Sequence, residues 1–271
     1  MSKSSRFARM RGVLSLLLWV LLSHAAAREA IWTGGGGADG SWTNPANWGG
    51  TAPVAGDDLI FAGTTGLAPV NDFPAGTVFN SIVFASGSGN FTVTGNPVTL
   101  TGGIFALRSL ASSGTIIVNC ALTFSGASTI TSSGGTFNVT GNIANGGAPI
   151  TVMAGGPMTF SGIVSGAGSL ISSGSGTLTL SGANTFAGGT TLTAGVLNIN
   201  HPTALGTGTF TISGGTFDNT SGGPLVMTAN NPLAWNGNFT FAGTQSLNLG
   251  TGPVAASATR TVTVNASTLT V

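Results

Sequence analysis

From Phe91 onward, apolar and hydroxyl-bearing positions alternate in short bursts that each stop at a glycine. The phrase recurs as FTVTG at Phe91–Gly95, LTFSG at Leu122–Gly126, FNVTG at Phe137–Gly141, MTFSG at Met158–Gly162, LTLSG at Leu178–Gly182, FTISG at Phe210–Gly214 and FTFAG at Phe239–Gly243. A period of two sends the two apolar side chains to one face of a strand and the hydroxyl or amide to the other. Threonine suits the wet face, because its β-branch favours extended backbone while its hydroxyl stays hydrated. The glycine then ends the strand.

The closing glycines are 31, 15, 21, 20, 32 and 29 residues apart. Those intervals centre on the length of one coil of a β-helix, with insertions assigned to the longer ones, and predict a solenoid. One such unit buries too little apolar area to fold alone, so coils must stack at about 4.8 Å to complete both ladder and core. An antiparallel sandwich is the alternative, and the hairpin-like pairs Asn145-Gly146 and Asn236-Gly237 keep it open. Beyond Leu22 no window has helical apolar spacing free of glycine and repeated β-branching, so the chain is all-β.

The two ends depart from this pattern. Residues 28–80 hold Trp32, Trp42 and Trp48, several prolines and five of the six acids, and are expected to form an N-terminal aromatic-rich cap with the first coils. Residues 81–271 are expected to be the β-solenoid repeats. Arg260–Val271 reads as strand to the last residue, which favours a fragment of a longer protein and leaves self-association through the open C-terminal edge as an expectation.

Residues 1–27 are expected to be a signal peptide. Lys3, Arg6, Arg9 and Arg11 precede the apolar run Gly12–Leu22, about half of the roughly 20 residues a membrane span needs, and Ala25–Ala27 supplies a cleavage site. Removing this leader inverts the charge: three arginines (Arg28, Arg108, Arg260) face six carboxylates, net −3, with no lysine. The whole-chain value of +1 therefore describes the precursor and implies no affinity for nucleic acid. No stable membrane span is expected in the mature chain. Cys120, in an apolar stretch, is expected to be a buried structural thiol, so stability must come without an internal disulfide.

The stretch Gly174–Ile199 (GSGTLTLSGANTFAGGTTLTAGVLNI) closely resembles the autotransporter-associated β-strand repeat, also called the passenger-associated transport repeat. Leu205–Gly215 looks like its usual continuation, and Trp32–Gly34, Gly40–Trp42 and Ala46–Trp48 look like the opening of many bacterial proteins built from such repeats. The resemblance implies a right-handed parallel β-helix, secreted or displayed at the bacterial cell surface outside the inner membrane, which displays or helps export an adjoining region. It carries no catalytic residues to transfer. Typical autotransporters end in a membrane β-barrel, and no such segment is expected within residues 28–271.

Chemistry has few candidates. From Phe73 to the end the common catalytic types are Asp218, His201, Arg108, Arg260 and Cys120, too scattered for the grouped carboxylates of polysaccharide-cleaving enzymes. His201, before Pro202, reads as a loop residue, and Asp218 as a turn or strand-end residue. Gly34–Asp39 fits the start of a calcium-binding nonapeptide, but Ser41 replaces its apolar position and only one copy is present. The same glycines fit G-x-G-x-x-G, with no strand expected before them and no helix after. Asp57-Asp58 reads as a solvated strand entry. No catalytic, metal or cofactor-binding residue is assigned, no cofactor is expected, and the chain is expected not to be an enzyme. The expected partners are a cell-surface glycan or a neighbouring passenger domain. A carbohydrate-binding or carbohydrate-processing β-helix is the alternative, with Trp32, Trp42 and Trp48 as a stacking platform if they are not buried.

Overall fold

The computed structural model describes residues 27–106 and 114–271. All but the last residue of the leader assigned to residues 1–27 falls outside them, as does Arg108. Every strand pairing described is parallel, which removes the antiparallel sandwich. Asn145-Gly146 and Asn236-Gly237 lie at corners between successive sheets and not in hairpins.

The chain winds as a three-sided solenoid. In one representative coil Ile150–Ala154 joins the first sheet, Pro157–Phe160 the second and Val164–Ser165 the third, before Leu170–Ser172 returns to the first. The first sheet has 11 strands, from Glu29–Trp32 to Val254–Ala256, and the second has 10, from Val70–Asn71 to Val262–Val264. The third breaks into a 5-stranded and a 3-stranded part. Between them Thr185 N–H still donates to Val164 and Thr207 N–H to Phe186, so the backbone ladder crosses the gap. Among the described residues the helical part is one 3-10 turn, Pro45–Trp48, which Asn44 caps by accepting from Ala46 N–H at 3.0 Å.

Parallel stacking aligns like residues. Leu59, Ile82, Ile104, Ile130, Val152, Ser172, Leu192 and Ile212 form one inward column of the first sheet. Each buried aliphatic member contributes about 1.5–3 kcal/mol of transfer free energy. From Val152 through Ser172 and Leu192 to Ile212 each coil takes 20 residues. The irregular glycine intervals have a cause other than insertions: the recurring phrase serves different sheets. Leu122–Phe124 lies in the third sheet and Phe210–Ile212 in the first, whereas Met158 and Leu178 sit in the second.

No helix among the described residues is long and apolar enough to cross a membrane.

Candidate functional site

Two regions of the solenoid are built to more than the generic alternating pattern. The first is the stretch around Asn184. Its side chain accepts from Val164 N–H of the preceding coil at 2.8 Å and donates to Ala204 C=O of the following coil at 2.7 Å, so one amide ties three coils together. Phe186 beside it is fully buried, and Thr190, also buried, donates to Leu205 C=O at 3.0 Å. Gly189 adopts φ +78°, and a Cβ there would lie 2.3 Å from Thr209 O. The N-T-F-A-G-G-T run is therefore a corner whose polar groups are satisfied across coils and whose backbone leaves no room for a side chain.

The second region is at the N-terminal end. The corners between the first and second sheets run 33–40, 62–69 and 85–91 there, against 133–135, 155–156, 173–176, 193–195 and 213–215 further on. The long corners stack on one another. Trp32 Nε1 donates to Gly66 C=O at 3.0 Å, Thr65 Oγ1 to Thr33 C=O at 3.1 Å, and Gly89 N–H to Gly63 C=O at 3.0 Å. Gly34, at φ +70°, lies so close to the next corner that a Cβ would fall 2.4 Å from Thr65 O. Such a stack is a ledge with fixed backbone.

Beside this ledge the outward face of the first sheet carries an apolar column. Ile31, Ile60, Val83 and Phe105 are direct register partners on four successive coils, and all are at least partly exposed. Further along the same face Thr129, Thr151, Thr191 and Thr211 are hydroxyl-bearing, and the apolar Met153 and Ile171 stand singly among them. Neither ledge nor column was read from the sequence. The signal that carries the column is an aliphatic–aromatic pair closing three strands, Ile31-Trp32, Ile60-Phe61 and Val83-Phe84, where period two puts one member outside and the other in the core.

The tryptophans lie inside, not on a platform. Trp32 and Trp42 are fully buried and Trp48 nearly so, and all three surround Phe61 with ring centroids 5.7–5.8 Å away. Trp48 Nε1 donates to Trp42 C=O at 2.7 Å, which satisfies the indole in the interior. The carbohydrate-stacking reading loses its residues.

The remaining candidates are dispersed. Asp57 corrects the expectation of a solvated strand entry: it is buried, accepts from Arg28 Nε at 3.1 Å and also from its Nη2, and takes Val54 N–H at 2.7 Å. This hydrogen-bonded partner raises the Arg28 pKa. Asp58 accepts from Asn80 Nδ2 at 2.7 Å and Ser81 Oγ at 2.5 Å. Asp39 is bonded by Ser41 and by Asn44 Nδ2 at 3.0 Å, and Ser41 above all holds its carboxyl below the usual range. A strand, Glu29–Trp32, does precede the Gly34 run, contrary to expectation, but a loop follows it.

His201 sits in a turn with Nδ1 3.0 Å from Thr203 Oγ1. Asp218 closes a strand, buried, where it accepts from Thr244 N–H at 2.9 Å and Asn219 N–H at 2.8 Å. Cys120 is buried and free, and burial pushes its thiol up to about 12. Among the described residues no three His, Cys, Asp or Glu side chains gather as a metal site would require.

With this geometry in view, residues 170–199 match the family model of the Passenger-associated-transport-repeat. The matched span covers two first-sheet strands, two second-sheet strands and the Asn184 corner. The chain is 28% identical over 200 residues to the Adhesin BmaC autotransporter of Brucella suis biovar 1 (strain 1330), an alignment covering 71% of this chain. It spans only 5% of that relative's length. No solved structure matches. The stretch that is similar to a passenger-associated transport repeat is thus built into a parallel β-solenoid, where its Asn184 corner joins three coils.

Proposed function

We propose that this chain is an exported passenger of the bacterial cell surface, a non-catalytic rod that displays an adjoining region or assists its export. The observation that carries the reading is the repeat match at residues 170–199, set within coils whose first and second sheets continue on both sides of it. The similarity to a relative named as an adhesin autotransporter supports a surface location. The non-catalytic reading is supported by the separate structural engagements of Asp218 and His201 and by the burial of Cys120.

The test is to express the full chain with a C-terminal epitope, label intact cells with antibody, assay the medium, and sequence the N-terminus of the recovered protein. Label on intact cells or protein in the medium, with a chain starting at Arg28, is the expected result. Confinement to the cytosol with the leader retained would overturn the reading.

A further inference from the structure

The apolar column and the loop ledge occupy the same coils, and the charges of the chain gather there too. Glu29 and Asp58 are register partners on the outward face that bears Ile31 and Ile60. Asp39 and Asp72 belong to the same end, and among the described residues its one cation, Arg28, is held by the buried Asp57. The face therefore presents an apolar stripe with the carboxylates of Glu29 and Asp58 along one side and stacked corners along the other. We propose that this face binds a cationic amphipathic helix lying along the solenoid axis; the inference goes beyond the passenger reading and stands without it.

Three considerations select that occupant. Charge complementarity calls for a basic partner, and an anionic membrane or nucleic acid would be repelled. A second copy offers little complement, because the chain from Arg28 onward has three arginines and no lysine. Glycans are poorly matched, since the three tryptophans of this end are interior and Phe105 is the one aromatic in the column.

Spacing then chooses helix over strand. Successive coils lie about 4.8 Å apart, so four coils carry the column over roughly 14 Å. The apolar seam of a helix, at positions i, i+3, i+7 and i+10, covers about 15 Å at a 1.5 Å rise. Alternate residues of an extended strand step about 6.7 Å and lose register after the first contact.

The experiment titrates the purified full chain into a labelled synthetic helix with leucine at those four positions and lysine on its flanks, read by fluorescence anisotropy. Two companion peptides replace lysine by glutamate, or the leucine seam by serine. Saturable binding of the leucine–lysine peptide, weakened by salt and absent for both companions, is expected. Ile60→Lys should weaken it by roughly tenfold or more, whereas Thr191→Lys, on the same face several coils away, should not. Both positions are solvent-accessible, and circular dichroism confirms that each variant keeps its strands. The proposal is overturned by no saturable binding, by equal binding of the glutamate peptide, or by equal loss in both variants. A dimer in sedimentation that Ile60→Lys dissociates would assign the face to a second copy and overturn it as well.

Discussion

The side-chain amide of Asn145 exchanges two hydrogen bonds with the backbone of Gly168 in the next coil, donating to its carbonyl at 2.7 Å and accepting from its N–H at 3.0 Å. The amide thus takes the place of a strand partner at a corner where no strand runs. Asn184 performs a related task two coils later, with Val164 and Ala204 as partners. In a solenoid, where corners interrupt the ladder on every coil, buried amides of this kind keep corner backbone groups satisfied.

Asn184→Ala is therefore expected to destabilise the chain by about 2–4 kcal/mol, because it strands a buried N–H and a buried C=O together. Asn184→Asp retains the acceptor for Val164 but sets a carboxylate oxygen against Ala204 O, so at neutral pH it should cost at least as much. Denaturant titrations of the three proteins check this. A loss under 0.5 kcal/mol, roughly that of an ordinary exposed change, would contradict the bridging role.

Alkaline unfolding isolates one residue. From Arg28 onward the chain has no lysine, and it has no tyrosine anywhere, so in that part Cys120 is the side chain that titrates between pH 9 and 12. Its thiol ionises near 9 when unfolded and near 12 when folded, so above pH 9 the unfolded chain binds fewer protons and is favoured. Stability should fall as pH rises through that window, by up to about 1.4 kcal/mol per unit. Cys120→Ala should flatten the dependence while lowering stability at pH 7 slightly. A thiol reagent at pH 8 should leave the native protein unmodified and label it in denaturant; rapid native labelling would refute the burial.

Phe61 is the hub of the aromatic cluster at the N-terminal end. It packs against Trp32, Trp42, Trp48, Phe84 and Phe91, with a stacked Phe84 at 5.3 Å. Phe61→Ala should cost about 3–5 kcal/mol. Since each coil leans mainly on its neighbours, hydrogen exchange should rise in residues 29–106 first and leave 150–218 protected. Uniform loss of protection along the chain would show instead that the solenoid unfolds as one unit.

The alternation of LTLSG-type phrases made the strands legible, because inward and outward faces follow from period two alone. Their assignment to sheets was not legible: Leu122–Phe124 and Leu178–Leu180 look alike but lie in different sheets. The side a strand joins depends on the corner before it, and corner length varies independently of the phrase. Burial of the tryptophans was legible, since an indole's large area is worth most in a core, but their common packing around Phe61 was not. Asp57 was misread because its partner Arg28 lies 29 residues away, across a coil. The ledge and column were invisible for the same reason: Ile31, Ile60, Val83 and Phe105 become neighbours only once the register is known.

Everything rests on one uninterrupted parallel register, and spin labels on the outward face of the first sheet measure it directly. Thr129, Thr151, Ile171, Thr191, Thr211, Ala234 and Ala255 are successive register partners there. Pairs of labels at Thr129 and Thr211, and at Thr129 and Ala255, should show separations of about 19 Å and about 29 Å, rising by about 4.8 Å per coil. Distances that fail to grow with the number of coils, as in a folded-back sandwich, would contradict the solenoid and with it the ledge, the column and the rod.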